Sequence, residues 1–189
     1  MNLKESMDEH KCRLRKEEAV RILKRSGNKE LSEYADFISK EEIANDPIYL
    51  FRTARKVLHG DAYDKGERLL AERGSAYLRA ITAYATRNEY LLERFSEDLY
   101  PFVIFCTVKN SRIKNRQDLL ESAVIPKGSS YNEKRTRVEA TKNLRNKELL
   151  LRLAEEDPDD LVRYHATKRL RKLGVKYTPS EKPREAAKV

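Results

Sequence analysis

One phrase returns in this chain. Residues 137–144 read R-V-E-A-T-K-N-L and residues 163–170 read R-Y-H-A-T-K-R-L, the same R-x-x-A-T-K-x-L frame after 26 residues. A unit that short cannot bury enough apolar surface to offset the entropy of ordering its own backbone. Stacked on near-copies it can, so a repeat of this length predicts an array in which each unit covers its neighbour.

The segment between the two phrases shows what each unit is made of. In NKELLLRLAEED, Leu149, Leu150, Leu153 and Ala154 form one apolar stripe of an α-helix. Asp157-Pro158-Asp159 breaks that helix, because proline disfavours helix in the residue before it and suits the first turn of the next. A second helix follows with Val162, Ala166, Leu170 and Leu173 on one face, and Gly174 stands where a C-terminal cap belongs. The unit is a helical hairpin with a tight acidic turn.

The same pattern recurs upstream. AYATRNEYLLERFSED at 83–98 places Leu91-Leu92 and Phe95 where the later unit has Leu149-Leu150 and Leu153. TVKNSRIKNRQDLLESA at 107–123 brings Leu119-Leu120, with Lys109-Asn110 matching Lys142-Asn143. ERLLAERGSAYLRAITAYA supplies Leu69-Leu70, and EEIANDPIYLFRTA at 41–54 sets Asp46-Pro47 and Arg52 against Asp157-Pro158 and Arg163. In YPFVIFCTVKN, Phe102, Val103, Ile104, Phe105 and Val108 are strand formers. The segment nevertheless holds the register of a second helix, and a helix enclosed on all sides is apolar all round; helix is the reading we adopt.

The phrase A-x-x-N-x-x-x-x-E-L-L-x-x-L-A-x-x-D-P-D-x-x-V-R resembles HEAT-type repeats, most closely their leucine-rich-repeat-variant form, best over 137–174, fairly over 83–123 and faintly before residue 80. The resemblance implies an all-α, right-handed α-solenoid of about four to five HEAT-like hairpins, of the kind that mostly binds other macromolecules. It carries over no cofactor, since the N-terminal cysteine cluster that some variant-repeat proteins use for an iron–sulfur centre is missing. The expected organisation is an N-terminal helical cap over 1–40, a repeat array over 41–174 and a loose basic tail over 175–189.

Composition narrows the function classes. Six glycines and six prolines among 189 residues leave few helix breakers. Cys12 and Cys106 stand far apart, which argues against a disulfide framework or a structural metal. The first eighteen residues are charged throughout, and the longest greasy run, near Tyr100–Val108, is about half of a membrane span. A cytoplasmic chain that does not enter a membrane is the expectation. No phosphate-cradling glycine loop, H-E-x-x-H or local nucleophile–base pattern is written anywhere. His59 lies near Asp61, Asp64 and Glu67, which could chelate a metal, but a turn between two helices explains the same letters and is preferred. His165 reads as packed or half exposed. No catalytic residue, metal or cofactor is assigned.

What remains is charge. Forty Lys and Arg face 31 Asp and Glu, a net of +9 that favours polyanionic partners. Lys109, Arg112, Lys114 and Arg116 share one connection; Lys127, Lys134, Arg135 and Arg137 flank the GSSYN loop; Lys168, Arg169, Arg171 and Lys172 crowd the end of the last helix. Set in a row by a repeat, they would form a basic ridge for phosphates, with Tyr131 and Tyr164 to stack on unpaired bases. Cations at helix ends also simply offset the helix dipole. The expectation is therefore a non-catalytic scaffold for a macromolecular partner, another protein first, with RNA or DNA held by these clusters as the alternative.

Overall fold

A computed structural model describes residues 16–40, 58, 61–126 and 130–178. Among these residues every regular element is helical and none is a strand. The helices are α1 (16–24), α2 (Lys29–Lys40), α3 (Asp61–Arg73), α4 (Ala76–Ala85), α5 (Glu89–Ser96), α6 (Pro101–Lys109), a 3₁₀ turn (Ser111–Asn115), α7 (Gln117–Val124), α8 (Tyr131–Thr141), α9 (Lys147–Glu156) and α10 (Asp160–Lys172). The chain divides into two compact units, Met1–Ile113 and Lys114–Val189. The division falls within the span read from sequence as one array. The Asp46-Pro47 and Arg52 segment lies outside the described residues, as do His10, His59 and the tail from residue 179 onward.

In the first unit, α3 packs on α4, α5 on α6, and α4 on α6, so two hairpins meet through their second helices. Helices α1 and α2 join the same core. Ala19, Leu23, Leu31, Tyr34, Ala35 and Ile38 cluster with Ala62, Leu70, Leu78 and Ile81. Gly66 allows that closeness, since a Cβ there would stand 3.2 Å from a methyl of Leu31. Phe37, which the helical stripe places with them, is instead partly exposed. The greasy segment 101–109 is the helix α6. Pro101 opens it at the first turn, and Val103, Phe105, Thr107 and Val108 are buried where α6 meets α4 and α5.

The second unit repeats the arrangement. Helix α7 packs on α8, α9 on α10, and α8 on α10. Asn146 caps α9 through Leu149 N–H as Asn88 caps α5 through Leu91 N–H, and each asparagine is followed at the third and fourth positions by the leucine pair. Leu92 and Leu150 are fully buried. Gly174 adopts φ +76° and ends α10: its N–H bonds the Arg171 carbonyl while Val175 N–H bonds that of Leu170, the paired closure that satisfies the last carbonyls of a helix. Leu173, read as part of the apolar stripe, is only half-buried.

Candidate binding face

Two ion pairs, one part-buried and one buried, fix how each second helix presents itself. In the first unit, Arg79 of α4 donates through Nε and Nη2 to the two oxygens of Asp98, at 2.8 and 3.1 Å. In the second unit, Arg137 of α8 donates in the same way to Asp157, at 3.2 and 3.3 Å. Asp98 and Asp157 each sit in the turn of the following hairpin, and each also accepts the backbone N–H two residues on, from Tyr100 and Asp159, at 2.9 Å. The frame extends further. Asn110 donates to the carbonyls of Ala83 and Thr86, and Arg169 donates to that of Leu144, which stands 58 residues after Thr86. In each unit a side chain on the later second helix closes a carbonyl left open just past the earlier one. Asn110 thus takes the place of Arg169, and the sequence match of Asn110 to Asn143 does not describe its role.

With these ties on one side, α8 and α10 turn their other sides to solvent. Tyr131, Lys134, Arg135 and Lys142 are exposed along α8, at helical spacing, with Val138 and Glu139 half-buried between them. Leu161, Tyr164, Lys168, Arg171 and Lys172 are exposed along α10. The two faces adjoin. His165 of α10 has its pKa held below the ordinary imidazole value, first by burial and then by the charges of Lys142 and Lys168, against an opposing pull from Glu139. Lys142 also bonds Glu139 at 2.7 Å. Arg135 lies over the Tyr131 ring at 5.3 Å and Lys168 over the Tyr164 ring at 5.8 Å, while His165 meets Tyr164 edge-on at 5.1 Å. The capping-box bonds between Ser130 and Glu133 commit that glutamate to the start of α8 and lower its pKa. Six cations and two tyrosines are therefore exposed on these two adjoining helices, where the nearby carboxylates among the described residues include Glu139, bonded to Lys142, and Asp160, paired with Arg163.

The basic clusters read from sequence are not all on it. Arg137 is buried, its side chain only 4 % exposed against Asp157, so it serves the clamp and is withdrawn from the phosphate-binding set. Arg169 is half-buried on the Leu144 carbonyl. Arg116 pairs with Asp118 through two bonds, and this lowers the Asp118 pKa. Lys109 and Arg112 are exposed in the first unit and Lys114 in the second, so the unit boundary divides that cluster. Lys127 lies outside the described residues. Lys134, Arg135, Lys168, Arg171, Lys172, Tyr131 and Tyr164 remain together. Lys142 and Leu161 join them. The signal for Lys142 was in the repeated frame, where it occupies the position of Lys168.

Midway along α3, Glu67 is buried and bonded to the hydroxyls of Tyr63 and Thr86. Among the described residues no group of three or more His, Cys, Asp or Glu is placed to hold a metal, and no helix is long and apolar enough to cross a membrane. Compared with known proteins, the chain matches no family model, no curated protein and no solved structure.

Proposed function

We propose that this chain is a non-catalytic helical-repeat scaffold that holds a nucleic acid along the α8–α10 face. In this reading the hairpins belong to a right-handed, HEAT-like α-solenoid, and the protein works in the cytoplasm. The observation that carries it is the pairing of Lys134, Arg135, Lys142, Lys168, Arg171 and Lys172 with two exposed tyrosines on adjoining second helices. A protein partner, first by sequence, would be met by aromatic and arginine anchors in a desolvated centre with few lysines. This face has its exposed tyrosines among many lysines, and the lysines are what a phosphate backbone calls for.

Binding to mixed RNA and DNA, measured over a salt series, tests the reading. Affinity should fall steeply, with a slope near −0.7 to −0.9 per phosphate contact. Changing Lys134, Lys142 and Lys168 together to Glu should abolish binding and leave the helical content intact. Changing Arg112, Lys114 and Arg116 to Glu should weaken it far less, since Arg116 is already paired with Asp118. Binding that ignores salt, or survives the first triple change, ends the proposal.

A further inference from the structure

Resting on that reading, we infer that the nucleic acid is single-stranded, with bases stacked on Tyr131 and Tyr164 and phosphates on the lysines beside them. Phosphate attraction alone does not call for aromatic rings in solvent. Tyr131 is 72 % exposed and Tyr164 57 % exposed, each near the start of its helix, and Leu161 stands 59 % exposed three residues before Tyr164. A duplex keeps its base faces inside the stack and offers this apolar strip nothing to cover it. An unpaired base has an open π-face of any sequence.

The rings are also held ready. A cation four residues on lies over each, Arg135 at 5.3 Å and Lys168 at 5.8 Å, and His165 abuts Tyr164 edge-on. Each tyrosine thus comes with a positive charge one helical turn along the same helix, so a phosphate can be met beside a stacked base. The surface reads a strand by ring and charge, so it tolerates sequence.

Anisotropy with the full chain, using a mixed-sequence single-stranded RNA, the same RNA annealed to its complement, and polyglutamate as a competitor, tests this. The expected result is tighter binding of the single strand than of the duplex. The Tyr131→Ala, Tyr164→Ala double variant should lose about tenfold or more on the single strand and little on the duplex, and the corresponding Phe variant should keep most of the affinity. Both residues are exposed, so circular dichroism should be unchanged. Equal binding of both forms, or an equal loss on both in the Ala variant, overturns the inference while leaving the phosphate reading intact. Displacement by polyglutamate as effective as by RNA overturns both, and marks the face as a site for acidic protein.

Discussion

The two units share one frame and dress it differently. Placing Arg79 on Arg137 aligns α4 with α8, so Tyr77 falls on Arg135 and Tyr84 on Lys142; placing Asp98 on Asp157, one residue further on, aligns α6 with α10, so Phe102 falls on Leu161, Cys106 on His165 and Lys109 on Lys168. In the first unit that face is aromatic: Tyr77 meets Phe102 at 6.0 Å and Phe102 stacks with Phe105 at 6.4 Å. In the second it is basic. What stays constant is what holds one hairpin on the next, the arginine–aspartate clamp and the carbonyl closure. What varies lies on the exposed or half-buried side of each second helix. A scaffold can exchange its outer residues freely because its packing does not depend on them.

The clamps give the largest expected effect. The side chains of Arg137 and Asp157 are 4 % and 1 % exposed, those of Arg79 and Asp98 21 % and 9 %. Asp157→Ala leaves a guanidinium buried without its counter-charge and should cost about 3–5 kcal/mol. Asp98→Ala leaves a wetter arginine and should cost about 1.5–3 kcal/mol. Urea unfolding of each variant measures the gap, and equal losses would show that burial does not set the strength of the clamp. Replacing Arg137 and Asp157 together by Met and Leu should be close to neutral, because the pair specifies position more than it adds stability.

These clamps were the least legible part of the sequence. Leucine pairs after asparagine caps, the Asp-Pro break and Gly174 all announce hairpins through local chemistry, and the structure places them so. Arg137 reads as a surface cation, since arginine is seldom fully buried. Its one signal is relational: an aspartate 20 residues on, echoed by Arg79 and Asp98 at 19. The binding face was partly legible, because the lysines and tyrosines are visible as residue types. Which of them share a face depends on helix–helix contact, and single-helix patterns do not contain that. Helix α6 was ambiguous for the same reason, its β-forming residues being answered only by what encloses them.

The carbonyl closures come next. Asn110 is buried and donates to two carbonyls, so Asn110→Ala strands both and should cost about 1–3 kcal/mol. Arg169→Ala removes one bond at a half-buried site that water can reach, and should cost about 1 kcal/mol. Thermal melts of the pair give the ranking, and the reverse order would mean that the second unit is held there as firmly as the first. Gly174→Ala should also cost about 1 kcal/mol, since a side chain at φ +76° is strained. Helix α6 ends on Asn110 at φ −63°, so no such glycine is needed in the first unit.

The smallest effect separates the two faces by pH. His165 stands where the first unit has Cys106, with Glu139 and Lys142 facing it from α8 and Tyr164 and Lys168 beside it on α10. Its folded pKa lies below the unfolded value near 6.5, so the fold favours neutral imidazole. That contribution to stability is fully present above the unfolded pKa and is lost as pH falls through the folded one. A bound phosphate acts in the opposite direction, because it favours the protonated ring. Lowering pH from about 7.5 to 5.5 should therefore loosen the free protein slightly while tightening its hold on RNA, and His165→Gln should remove both slopes. Calorimetry in two buffers of different ionisation enthalpy reads the proton taken up on binding. Zero uptake in the native chain would place the strand away from the α8–α10 face, whatever its salt dependence.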